Sequence, residues 1–116
     1  MRSNLQFAPP VPVTTRPTVT LINVYKAVPG KQDEVLRLLE HATDTVTRHM
    51  RGFVCATFHK GIDGRTVANY AEWESVEAWR AMTDDPRMRG VMTPVMALAE
   101  CQPQLFETAS THWPDE

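Results

Sequence analysis

Two runs that alternate along the chain, FVCATFHK and RTVANYAEW, are separated only by GIDG. A link that short allows no crossover, so the runs must lie antiparallel as a hairpin, with the glycines supplying backbone conformations that the turn needs. A third alternating run, VTLINVYKA, comes earlier and is stopped by Pro29 and Gly30. It puts Val19, Leu21, Asn23 and Tyr25 on one face and Thr20, Ile22, Val24 and Lys26 on the other.

Between the first strand and the hairpin, Val35, Leu38, Leu39, Ala42 and Val46 recur at helical spacing. Asp33 and Glu34 open this segment and Arg48 closes it, signs that suit the helix dipole, so a helix is expected from about Lys31 to about Met50. After the hairpin, Ser75 is placed as an N-cap for a short helix ending near Met82. Asp85-Pro86 reads as a second cap with proline at the first helical position. Pro94 predicts a kink or restart before a last strand at about Gln102 to Glu107. The order is β-α-β-β-α-β, an α+β chain of the ferredoxin-like pattern with one right-handed crossover and sheet order 4-1-3-2. Helices then cover one sheet face. The other, with Thr20, Ile22, Val24, Ala68 and Tyr70, is too apolar for water, and a homodimer with two sheets face to face, a dimeric α/β barrel, would cover it.

At 116 residues the chain holds one modest core. Four prolines among residues 1–17 predict an extended arm, residues 18–108 the domain, and residues 109–116 a C-terminal tail. The net charge of −2 and scattered arginines offer no field for a polyphosphate, so nucleic acid is not expected. No apolar run reaches bilayer length and MRSNLQFAPP lacks a secretion signal's apolar core, so the expected setting is cytoplasmic, with no membrane partner. Cys55 and Cys101 read as small apolar residues. The four histidines show no metal-ligand spacing, and no metal is expected.

The chemistry concentrates on one sheet face. The order 4-1-3-2 makes strands one and three neighbours, so Asn23 shares a face with Asn69 and Trp73. A buried amide without partners costs about 1–3 kcal/mol, so two on a helix-covered face need a reason. Either they bond turns and loop backbone, or they line a pocket and bind a polar ligand. Asn69 and Trp73 are four residues apart, about 13 Å along a strand, enough to reach opposite ends of a flat multi-ring molecule. Met88, Met92 and Met96 recur every four residues, with Met82 just before them. Together with Tyr25, Phe58, Trp79 and Leu98 they suit either an irregular core or the wall of an apolar slot. His59, at the end of strand two, is a candidate base or contact at its rim. Arg80, Arg87 and Arg89 read as surface charges. Hydrolase and kinase readings fail because no nucleophile triad or phosphate loop is present.

The stretch GFVCATFHKGIDGRTVANYAEWESVEAWRAM, followed by DDPR and preceded by PGKQDEVLRLL, resembles the antibiotic biosynthesis monooxygenase domain over about Thr18 to Glu107. Within that family the likeness is to cofactor-independent oxygenases that turn anthrones or naphthols into quinones. The resemblance implies catalytic roles for Asn23, Asn69 and Trp73, no cofactor, and O₂ as co-substrate. Some relatives carry a tyrosine where this chain has Trp79 and a helix arginine where it has Met92. Haem-degrading relatives need a helical histidine where Met92 stands, so haem is not expected here. A polyketide cyclase or isomerase, and a non-catalytic dimeric module binding an aromatic ligand, remain the alternatives.

Overall fold

The computed structural model describes residues 17–115; the expected arm at residues 1–17 lies, but for Pro17, outside the described residues. Strands β1 (Val19–Ala27), β2 (Phe53–Lys60), β3 (Thr66–Trp73), β4 (Ala99–Cys101) and β5 (Gln104–Phe106) form one antiparallel sheet. Helices α1 (Gln32–Thr45), α2 (Val76–Thr83) and α3 (Pro86–Leu98) complete the α+β, ferredoxin-like fold. The order β2-β3-β1-β4 is the expected one, with β5 also on β1.

The last strand begins earlier than expected and is interrupted. Tyr25 pairs with Cys101 and Ile22 with Gln104, so both pieces keep one register and belong to a single broken strand. Pro103 has no N–H to give to a ladder, which accounts for the break. The register carried across it puts Pro103 beside Asn23.

Helix α1 stops at Thr45, short of the expected end, and a 3₁₀ turn follows at Thr47–His49. Three consecutive β-branched residues, Thr45, Val46 and Thr47, explain the early stop, and the Thr45 hydroxyl bonds back to the His41 carbonyl. The start of α1 is tied to the hairpin by Gln32, whose amide donates to the carbonyls of Gly61 (2.8 Å) and Thr66 (2.9 Å). Both later caps form as read. The Ser75 hydroxyl accepts from Ala78 N, and the Asp85 carboxylate from Arg87 N. Helix α3 does not restart at Pro94 but continues to Leu98. Gly52 bends the chain into β2 with φ +87°, and a Cβ there would come within 2.5 Å of that of Ala78.

The interior divides into two apolar clusters. One gathers Tyr25, Val35, Leu39, Val67 and Val95, the other Leu21, Ala71, Trp73 and Met82. On the opposite sheet face Ile22, Val24 and Phe106 remain exposed. That face is less uniformly apolar than the sequence suggested. Glu72 is buried there and accepts from the hydroxyls of Thr18 and Thr20. Among the described residues no helix is long and apolar enough to cross a membrane.

Candidate active site

Asn23 and Asn69 face each other directly across the β1–β3 ladder. Two amides in that relation have Cβ atoms about 4.5–5.5 Å apart, so they act as one polar spot on the sheet floor. Asn23 is 5% exposed. Its Nδ2 donates to the Tyr25 hydroxyl at 3.0 Å, but its Oδ1 accepts nothing. The Oδ1 of Asn69 is likewise without a donor, and the Nε1 of the fully buried Trp73 has no acceptor. Among the described residues these three are the only buried side-chain polar atoms left unpaired. No main-chain group of the described residues partners any of them, so the main chain is not what they were placed to serve.

All three line a cavity of about 240 Å³ between the sheet and the helices. Tyr25, Trp79, Met82, Met88 and Met92 also line it, as does Phe58. The rest of the wall is mostly apolar, with Thr43, Thr47, Thr83 and Arg89 the further polar side chains, as expected for a site that takes a ring system and orients it through few polar groups. A bulge between Phe53 and Cys55 reverses the alternation of β2 and brings Phe53 onto the inner face. There its ring meets that of Trp73 edge to face, with centroids 5.4 Å apart and planes at 73°. The indole is thereby held with its N–H still unspent.

Burial pushes the Tyr25 hydroxyl far above the ordinary phenol range, with Cys101 adding to the effect. Burial also raises the Cys101 thiol, partly offset by a bond from the Asn23 side chain. Both groups therefore stay protonated at neutral pH.

Three sequence candidates lie outside the cavity: His59, Met96 and Leu98, the last of which packs against the first apolar cluster instead. His59 follows the inward-facing Phe58, so the period-two rule turns it to the other face of β2, where it is exposed and paired with Ala68. Met96 is 49% exposed and does not line the cavity. Every four-residue step on a helix drifts about 40°, and two steps from Met88 carry Met96 off the inner face, which Val95 takes instead. Cys101, Pro103, Thr47 and Arg89 line the cavity without having been assigned to it from the sequence. Cys101 and Pro103 follow from a strand register that the sequence does not print. Arg89 stands three residues before Met92 on α3, about one helical turn, so the spacing itself could have signalled it.

Residues 18–93 match the family described as antibiotic biosynthesis monooxygenase. The chain belongs to that family. The match covers β1 to β3, α1, α2 and α3 as far as Thr93, and stops before the last strand, which brings Cys101 and Pro103 to the cavity. Within the curated members, tetracenomycin-F1 monooxygenase of Streptomyces glaucescens is 49% identical over 70 residues, covering 60% of this chain and 62% of the relative. The chain thus spans less than two thirds of that relative's length. Among solved structures, SnoaB, a cofactor-independent oxygenase from Streptomyces nogalater, is 25% identical with a TM-score of 0.72, over 85% of this chain and 99% of its own. The ActVA-Orf6 monooxygenase of Streptomyces coelicolor, solved with nanaomycin D, shares the fold at 24% identity and a TM-score of 0.76, over 88% of this chain and 96% of its own.

Proposed function

We propose that this antibiotic biosynthesis monooxygenase family member is a cytoplasmic, cofactor-independent oxygenase that converts an anthrone- or naphthol-like polyketide to a quinone with O₂. The observation that carries this reading is the set of three unpaired polar atoms, on Asn23, Asn69 and Trp73, inside a mostly apolar cavity. The oxygenase names of its relatives and the aromatic ligand of one of them support it.

The substrate supplies the reducing power. An enolised anthrone passes one electron to O₂, and the resulting radical pair joins by a new C–O bond to give a hydroperoxide. Loss of the remaining hydrogen on that carbon, with cleavage of the O–O bond, releases water and leaves the second quinone carbonyl. One O₂ is consumed and one water formed, so no external reductant is needed. The protein's part is to hold the ring and stabilise the negative oxygen. Trp73 Nε1 and the Asn69 Nδ2 donate to that oxygen while the unpaired Asn69 Oδ1 accepts from a ring hydroxyl, and preorganised donors of this kind are worth about 10²–10³ in rate. Asn23, whose Nδ2 is engaged by Tyr25, offers its unpaired Oδ1 to accept from a hydroxyl of the ring and so orients it. His59 lies on the far face and Tyr25 and Cys101 hold their protons, so the substrate's proton leaves to water or to its own phenolate.

Oxygen uptake is expected with an anthrone or dihydroxynaphthalene panel in chelator-treated, flavin-free buffer, with one O₂ consumed per quinone. The same conversion proceeding without O₂ would replace this reading with the cyclase or isomerase alternative. Binding of the rings without any conversion would replace it with the non-catalytic module.

A homodimer formed through the outer sheet face is part of the proposal, supported by Ile22, Val24 and Phe106 exposed side by side on paired strands. Val24→Glu would bury a carboxylate without a partner and weaken self-association by about a hundredfold or more. Sedimentation should then show a dimer for the wild type and a monomer for the variant. A monomeric wild type would remove the dimer from the account.

A further inference from the structure

Resting on the oxygenase reading, we infer that Tyr25 and Cys101 are a positioning pair, which holds the NH₂ of Asn23 so that the two facing asparagines keep both amide oxygens free for the ligand. A carboxamide is nearly symmetric in shape, and half a turn about its last bond exchanges a donor for an acceptor. Asn23 and Asn69 stand directly opposite each other on neighbouring strands, where two amides ordinarily bond to each other, NH₂ to oxygen. Here they do not, and the Oδ1 of each is without a donor.

The strand register builds the pair. Tyr25 follows Asn23 by two residues on β1, so both side chains lie on the inner face, and Cys101 of β4 stands directly across the ladder from Tyr25. All three line the cavity. The Asn23 Nδ2 donates to the Tyr25 hydroxyl at 3.0 Å, and the same side chain bonds the Cys101 sulfur. An amide nitrogen carries two hydrogens, so the phenol oxygen and the thiol sulfur take both. The Tyr25 ring is not free to swing away, because the residue is 4% exposed and packs with Val35, Leu39, Val67 and Val95. Burial keeps phenol and thiol protonated, so the hold on the amide does not change with the charge of either. Without the phenol oxygen, the nearest facing acceptor for the Asn23 NH₂ is the Oδ1 of Asn69, and that bond would take an acceptor from the ligand and turn a donor toward it.

The test is equilibrium binding of 2-naphthol and 2-methoxynaphthalene, read by calorimetry, with no turnover involved. Both offer an oxygen to a donor, but only the naphthol carries a hydrogen for an amide oxygen. The wild type should prefer the naphthol by about five- to tenfold, the worth of one neutral hydrogen bond. Asn23→Ala should leave a preference of about twofold, due to Asn69 alone. Tyr25→Phe, which keeps the ring and deletes only the hold on the amide, should bring the ratio to about one. Added to Asn23→Ala, it should change nothing further, since there is no amide left to hold. Cys101→Ala leaves Tyr25 in place and should lower the preference part of the way, so the result does not hang on one variant. A wild-type ratio near one, a preference that survives Tyr25→Phe, a further loss when Tyr25→Phe is added to Asn23→Ala, or failure of both compounds to bind overturns the inference. Oxygen uptake with anthrone reports separately on the oxygenase reading, so the two can fail independently.

Discussion

Asn69→Ala is expected to lower oxygen-dependent turnover by about 10²–10³ while leaving the midpoint of thermal unfolding unchanged or raised. Most buried polar side chains stabilise a fold through the bonds they make, and removing them is costly. Asn69 is different because its Oδ1 accepts nothing. Truncation therefore removes a desolvation penalty together with a few packing contacts, and the two changes oppose each other. Loss of function without loss of stability is the signature of a group placed for a ligand. Calorimetry beside an oxygen electrode measures both quantities on one preparation. A variant that unfolds well below the wild type, with activity falling only in proportion to the unfolded fraction, would assign Asn69 to the scaffold.

Trp73 separates the two roles within one side chain. Its ring is fully buried and packs edge to face on Phe53, whereas its Nε1 has no acceptor. Trp73→Phe keeps most of the ring and deletes only the donor, so turnover should fall by about ten- to a hundredfold, with stability changing by about 1 kcal/mol. Trp73→Ala instead opens a void in the second apolar cluster and should cost about 3–5 kcal/mol in denaturant unfolding. If Trp73→Phe turned over like the wild type, the indole N–H would have no part in the chemistry and Trp73 would be a packing residue.

The sequence made the sheet floor legible because strand periodicity is rigid. The turn GIDG fixed the hairpin and the crossover the strand order, and the alternation of apolar residues placed Asn23, Asn69 and Trp73 on the inner face, where the ladder sets the two asparagines opposite each other. The helical wall was less legible. Four-residue spacing only approximates the helical turn, so Met88 and Met92 line the cavity whereas Met96, one step further, is carried off it. His59 was assigned by its nearness to a turn rather than by its parity relative to Phe58. Irregularities of the backbone were invisible for a different reason. The bulge that turns Phe53 inward and the break that seats Pro103 beside Asn23 arise from how neighbouring strands accommodate one another, which no single strand encodes.

The central claim is that two facing asparagines give O₂ chemistry its polar anchor, and isotope labelling of the product tests it most directly. Under ¹⁸O₂ the wild type should form anthraquinone from anthrone with one labelled oxygen, at a rate far above autoxidation. The folded Asn23→Ala/Asn69→Ala double variant should form it no faster than buffer alone. A double variant that matches the wild-type rate, or a wild-type product without label, would contradict the account.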